Sequence, residues 1–389
     1  MKKIVAMLLV LVLSFTLAGC GGGGGDGDVV NIGWIGSLTG PQALWGQCEW
    51  ATVQMFFEEI NEAGGINGKT FHPIGLDSRG EPEEAVNAAR RLVDQGVIAV
   101  IGPNASRQAI PVGDVLVEAK VPGVSTVATN PRVTIDDNGN VKPYYFRVCF
   151  IDPYQGAVAA GFSFDELGAR TAAVLYSVGD DYSTGISEFF RAEFISKGGT
   201  IVADEAFVEA DVDFRPQLTA IRDSNPDVIF MPFAYMQVAL AANQARELGI
   251  TATLIGTDTW PSEELLTMAA DAIEGSFFVN HLDFADPDVQ DFRNAYMASS
   301  FNPEAPNGIA PELNGFMAWD AATMVVEAIK KSGSFDPSDI ARAMSTIDFQ
   351  GLTGRIEIDP TTHNPGSKHA AIKTIQNGEY VFVMRYSPY

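Results

Sequence analysis

Short apolar runs alternate along this chain with longer stretches in which apolar positions recur every three or four residues, the mark of strands interleaved with amphipathic helices. Val29–Leu38 reads as a strand and Gln47–Ala63 as a helix. Strand Phe71–Asp77, helix Glu81–Gln95 with Pro82 in its first turn, strand Val97–Ile101, helix Arg107–Ala119 and strand Gly123–Val127 follow. The alternation restarts after Asp152-Pro153, an N-cap followed by proline, with a helix to Leu167 and strand Thr171–Ser177. Helix Ser183–Lys197, strand Thr200–Phe207, helix Phe214–Ser224, strand Val228–Met231, helix Met236–Leu248 and strand Thr253–Gly256 complete the second run. Such alternation calls for parallel sheets covered by helices on both faces. Two runs therefore predict an α/β chain of two doubly wound parallel-sheet lobes, joined near Val148–Asp152. Helices between Asp288 and Met344 and strands near Gly354–Ile358, Ala371–Gln376 and Tyr380–Arg385 are too few for a third domain and complete the first two. The expected division is residues 29–149 with 279–360 for one lobe and 150–278 with 361–389 for the other, joined by a multi-strand hinge.

The segment before Val29 has a different pattern. Met1-Lys2-Lys3 precedes the apolar run Ile4–Leu13, then Leu17-Ala18-Gly19-Cys20 and five consecutive glycines. A basic start, a short apolar core and small residues before a cleavage point describe a secretory signal over residues 1–19. The run is too short for the roughly 20 residues a membrane-spanning helix needs. Leu-Ala-Gly-Cys resembles a bacterial lipobox, which would make Cys20 the lipid-modified first residue of the mature chain and residues 20–28 a Gly-rich leash. The expected location is extracytoplasmic, in a periplasm or on a cell surface, held to the membrane by that lipid.

Composition narrows the partners. With 46 % apolar residues in 389, the chain can build two sizeable cores. Its net charge of −24 repels nucleic acid and anionic lipid, so no nucleic-acid partner is expected and the lipid alone would hold the domain at the membrane. Cys48 and Cys149 either pair or remain buried thiols; two cysteines do not make a disulfide scaffold.

Several motifs carry no chemistry. Ala63-Gly64-Gly65-Ile66-Asn67-Gly68-Lys69-Thr70 is one residue from a phosphate-binding loop, but it ends a helix and enters a strand, the reverse of what such a loop requires. A helix C-cap and turn is the expected structure. Gly22, Gly24 and Gly27 match a dinucleotide-binding spacing only because the leash is nearly all glycine. No Gly-x-Ser-x-Gly or His-Glu-x-x-His is present, and His72, His281, His363 and His369 fall in separate segments without metal-ligand spacing. Neither an enzyme, nor a cofactor, nor a metal is expected, and each histidine is expected to be structural or exposed.

A different set of residues converges. Ligands of open α/β sheets bind outside the carboxyl ends of the strands. Just past the predicted strands stand Trp45, Ser106, Thr129, Tyr182, Tyr235 and Asp258, spread over both halves. The turn at Ser106 leads into a helix, whose free N–H groups suit a carboxylate. Asp258 suits an ammonium. A buried zwitterion needs partners for both charges, and a hydroxyl/N–H nest plus one carboxylate is the smallest set that supplies them. Taken singly, Ser106, Thr129 and Asp258 also suit caps or turns, and the tyrosines suit packing.

These residues sit within a longer series. It runs Ile35-Gly36-Ser37-Leu38-Thr39-Gly40-Pro41 with Trp45-Gly46, Ile60-Asn61-Glu62-Ala63-Gly64-Gly65-Ile66-Asn67-Gly68 and Val100-Ile101-Gly102-Pro103. It continues with Ala128-Thr129-Asn130-Pro131, Asp181-Tyr182-Ser183-Thr184-Gly185 and Gln244-Ala245-Arg246-Glu247-Leu248-Gly249. In this the chain resembles the solute-binding proteins of branched-chain amino acid ABC transporters, the leucine/isoleucine/valine-binding family with the type I periplasmic-binding fold. The resemblance implies that Ser106 and Thr129 hold a ligand carboxylate, and that Asp258, Thr129 and the Val127 carbonyl hold the ammonium. It implies contacts from Trp45 and Ala128 on the first lobe and from Tyr182 on the second, with Tyr235 or its rival Phe233 as a further aromatic. It also implies a monomer that delivers an amino acid to ABC permease subunits.

Three departures stand out against that family. Its leucine-binding members have a longer Glu at the place of Asp258 and a smaller residue at that of Val127. Their disulfide has no counterpart, because Ala105 occupies one of its positions. Amides, urea and aromatic acids are ligands elsewhere in the wider group and stay open as alternatives, as does a periplasmic sensor of a signalling partner.

Overall fold

Two sheets organise the chain in the computed structural model, which describes residues 29–303, 310–366 and 368–388. The expected signal peptide, Cys20 and the Gly-rich leash lie outside the described residues. The first sheet is built from β1 (Val29–Gly36), α1 (Ala43–Glu62), β2 (Thr70–Asp77), α2 (Pro82–Asp94), β3 (Val100–Ile101), α3 (Ser106–Ala119), β4 (Gly123–Ser125) and β5 (Tyr145–Arg147). Its order is β2-β1-β3-β4-β5, and every pairing is parallel.

The second run comprises α4 (Asp152–Asp165), β6 (Thr171–Val178), α5 (Asp181–Ser196), β7 (Thr200–Val208), α6 (Arg215–Ser224), β8 (Val228–Phe230), α7 (Tyr235–Glu247), β9 (Thr253–Gly256), α8 (Glu263–Ile273) and β10 (Phe277–Asn280). Then come α9 (Gln290–Ala298), α10 (Leu313–Ser332), α11 (Pro337–Met344), the hairpin β11 (Asp348–Gly351) and β12 (Gly354–Glu357), β13 (Ala370–Gln376) and β14 (Glu379–Tyr386). The second sheet runs β14-β13-β10-β9-β8-β6-β7, parallel from β10 to β7 and antiparallel at β13 and β14.

Both faces of each sheet are covered, which is why the central strands read as near-continuous apolar runs. In the first lobe, Trp34 and Phe146 pack under α1 and α10 through Phe57, Phe316, Met317 and Val325. Ile35, Val100 and Tyr145 face α2 and α3 through Ala88, Leu92 and Leu116. Each fully buried Phe, Leu or Val among them contributes about 1.5–3 kcal/mol. Cys48 and Cys149 are free, buried thiols in this lobe. The glycine cluster after α1 is a turn, with Gly64, Gly65, Asn67 and Gly68 all at positive φ and Ile66 bridging Lys69. No phosphate-binding loop forms there.

The chain crosses between the lobes after β5, after β10 and between β12 and β13. At two of these crossings the rings of Phe150 and His281 stack 3.4 Å apart. β10 carries the second sheet to Asn280, two residues past the 278/279 boundary expected from sequence.

Candidate functional site

The carboxyl ends of the two sheets face each other, and the loops leaving them enclose a cavity of about 50 Å³. A single water needs roughly 10–15 Å³ measured this way, so the volume suits a small solute. The first lobe supplies Gln42 and Trp45 from the start of α1, Asn104, Ala105 and Ser106 from the turn between β3 and α3, Val127 from beyond β4, and Asn314 from the start of α10. The second lobe supplies Asp180 and Tyr182 from the start of α5, Ala234 before α7, and Asp258 and Thr259 beyond β9. Trp45 is held in place by Gly46, where a Cβ would lie 2.0 Å from the Ser37 carbonyl oxygen. Only glycine lets α1 approach β1 so closely.

Asp258 is the chemical centre of the second-lobe wall. Its side chain is 1 % exposed. One carboxylate oxygen accepts from the Tyr182 hydroxyl at 2.9 Å and the other meets His281 Nε2 at 3.0 Å. Burial pushes the His281 pKa down, against the opposing pull of Asp258, so the ring is neutral near pH 7 and donates through Nε2. Burial and the Asp258 charge keep Tyr182 protonated. Across the cavity, Ser106 Oγ accepts from the Asn130 amide at 3.2 Å and opens helix α3. Behind it, Asp152 is wholly buried; burial raises its pKa well above the ordinary carboxylate range, and the Asp258 charge adds to the rise.

Of the residues singled out by sequence, Trp45, Ser106, Val127, Tyr182 and Asp258 line the cavity together. Ala128, Thr129 and Tyr235 stand one layer back. The Ala128 carbonyl accepts from Arg147 Nη1 at 2.8 Å and from Cys149 Sγ at 3.5 Å. The Thr129 hydroxyl lies against the Asp152 carboxyl. Tyr235 meets Trp45 edge-on at 5.3 Å and donates to the Pro41 carbonyl at 3.2 Å, so it clasps the opposite lobe. Its rival Phe233 is buried against Phe207. Ala234, between them, is the residue at the wall.

Sequence reading missed Gln42, Asn104, Asp180, Thr259 and Asn314, and it missed His281. His281, expected like the other histidines to be structural or exposed, is buried and bonds the central acid. A signal existed for Asn104, two residues before Ser106 in the same turn. Asn314 sits on a helix far along the chain, and nothing in its spacing places it in the cleft.

Contacts run directly from lobe to lobe around the cavity. Asn130 Nδ2 donates to the Asp181 carbonyl at 2.7 Å, and Arg132 pairs with the Asp181 carboxylate at 3.0 Å. Arg107 pairs with Glu209 across the mouth while donating to the Gly80 carbonyl at 2.8 Å. The lobes are closed on each other.

Two lobes closing over a small polar-anchored cavity define a solute-binding protein. A family model described as periplasmic binding protein matches residues 29–379, and the chain belongs to that family. It is 33 % identical over 312 residues to the Leu/Ile/Val-binding protein BraC3 of Rhizobium johnstonii, covering 80 % of this chain and 81 % of that one. The leucine-binding protein LivK of Thermotoga maritima superposes with a TM-score of 0.83 at 32 % identity, over 92 % of this chain and 99 % of that one. The branched-chain amino acid transporter substrate-binding protein LivJ of Streptococcus pneumoniae, in complex with isoleucine, superposes at 0.82 with 29 % identity over 92 % and 100 %. The type I periplasmic-binding fold and the resemblance to the Leu/Ile/Val-binding family are therefore shown.

Proposed function

We propose that this chain captures a free α-amino acid between its lobes and delivers it to an ABC permease. The observation that carries the reading is the pairing of a buried carboxylate on one lobe, Asp258, with the Ser106 hydroxyl at a helix start on the other, in one closed cavity. No Lys, Arg or His lines that cavity among the described residues, so an ammonium is the charge it lacks. A zwitterion bridging Asp258 and Ser106 favours the closed form by its differential affinity, and the three crossings serve as the hinge. Relatives named for leucine, isoleucine and valine make those amino acids the first to test. The site residues are Trp45, Ser106, Val127, Tyr182 and Asp258 at the ligand, with Ala128, Thr129 and Tyr235 shaping the wall behind. The protein acts as a monomer tethered through lipid on Cys20, and the permease reads the closed form.

The test is calorimetry with one amino acid and its analogues lacking either the amine or the carboxylate. Loss of at least a hundredfold in affinity for each analogue is expected. Equal binding of the 2-hydroxy acid would refute the assignment of Asp258 to an ammonium.

A further inference from the structure

One part of the cavity is left over when the zwitterion has its partners. On the first-lobe side, beside Trp45 and Val127, the wall carries three amides: Gln42, Asn104 and Asn314. They are not incidental. Asn314 is 5 % exposed and donates through Nδ2 to Glu49 Oε1 at 3.1 Å. Asn104 is 5 % exposed and also lies against Glu49. Glu49, wholly buried one helical turn behind Trp45, accepts from Thr126 at 2.7 Å and from the Trp34 indole at 3.3 Å. That buried carboxyl thus fixes the Asn314 amide at the edge of the ligand space, while Asn104 Nδ2 and Oδ1 are buried without a hydrogen-bond partner. Gln42 Oε1 is buried at the same wall without a hydrogen-bond partner.

Such a wall is unsuited to a branched aliphatic side chain. A hydrocarbon would cover amide groups without satisfying them, and buried polar groups left unpaired are costly. An amide needs both a donor and an acceptor, which neighbouring amides supply together. Charged side chains fit less well. An acidic one would meet Asp180. A basic one finds no free carboxylate: Glu49 is committed to Thr126, Asn314 and Trp34, and Asp180 caps α5 through the Tyr182 amide and faces Arg107.

We propose that the captured amino acid carries an uncharged hydrogen-bonding side chain, a primary amide above all, read by Asn104, Asn314 and Gln42. Glu49 is a positioning residue for that readout. The inference rests on the α-amino-acid reading above and sharpens it. Sites built to hydrogen-bond a substrate group discriminate far more strongly against analogues lacking it than sites that merely enclose a methylene.

Calorimetry on the purified protein with glutamine, asparagine, threonine, leucine, isoleucine, valine and lysine tests it. Glutamine or asparagine is expected to bind at least tenfold more tightly than any of the aliphatic three or lysine. In Asn104→Leu and Asn314→Leu, nearly isosteric changes, the ratio of glutamine to leucine affinity should fall by at least tenfold. Glu49→Gln should lower the same ratio, a change that general loss of stability would not produce. Tightest binding of leucine, isoleucine, valine or lysine by the unmodified protein overturns the inference and leaves the amino-acid reading standing. Binding of none of the seven overturns both. The unmodified protein decides the question even if a variant does not fold.

Discussion

Asp258→Asn separates charge from shape at the centre of the site. The two oxygens of Asp258 face Tyr182 at 2.9 Å and His281 at 3.0 Å, with the side chain 1 % exposed. Asparagine keeps an oxygen to accept from the Tyr182 hydroxyl. Its nitrogen then faces His281, whose neutral ring accepts at Nε2 once its proton moves to Nδ1, a tautomer change without a change of charge. The fold should survive, with the melting temperature within a few degrees of the parent. What disappears is the negative charge opposite the ligand ammonium. Two unit charges about 4 Å apart at an effective dielectric near 20 interact by about 4 kcal/mol. Removing one partner of a buried pair costs about 3–5 kcal/mol. Both figures correspond to a loss of roughly 10²- to 10⁴-fold in affinity. Calorimetry with the tightest-binding amino acid measures it directly. An affinity within about threefold of the parent, with the variant folded, would refute the assignment of Asp258.

Three further outcomes follow from the geometry. Glu209→Gln removes the Arg107 pair across the mouth; that pair is partly exposed, so affinity should fall only about two- to fivefold, through faster dissociation, and less so in high salt. Burial pushes Glu49 up to about 7 and Glu312 up to about 8, both above their unfolded value of 4.5, so both bind more protons folded than unfolded. Stability should therefore fall as pH rises from about 6.5 to 8, offset in part by His281 and His363, neutral when folded but half protonated in the unfolded chain at pH 6.5, and by Lys368, pushed down to about 8 by burial. The net loss is on the order of 1 kcal/mol, visible as a melting temperature lower at pH 8 than at pH 6.5, and a rise instead would contradict it. Cys20→Ser should move the expressed protein from the membrane to the soluble extracytoplasmic fraction, and unchanged membrane retention would refute the lipid anchor.

Much of the fold was legible in the alternation of strand and helix periods, because parallel strands buried on both faces leave long apolar runs. β5 was missed because three residues are too few for any period, and β10 and α8 because they follow a loop-rich stretch after β9. Strand ends in open sheets point at ligands by topology alone, which is why Ser106, Tyr182 and Asp258 were found. Tyr235 shows the limit of that rule: it stands behind Trp45 and outside the cavity lining. Position past a strand end does not say which way a side chain turns, and this one turns to the opposite lobe. Asn314 comes from a segment that reaches the cleft only after the chain has crossed back to the first lobe, information that no local pattern carries, and His281 stands one residue past the end of β10, the strand that was missed.

The crossings also set the order in which the molecule can be completed. Helix α10 begins at residue 313 yet covers the face of a sheet whose first strand begins at residue 29, and the Glu49–Asn314 bond links the two regions. A nascent chain that stops at residue 149 has made every strand of the first sheet but leaves the apolar side under Phe316 and Val325 bare. The first lobe therefore cannot lock before most of the polypeptide exists. Members of this family work outside the cytoplasm, and a chain that stays unfinished until late remains thin enough to be threaded through a membrane pore. The same discontinuity that runs the chain between the lobes postpones completion of the first lobe's core.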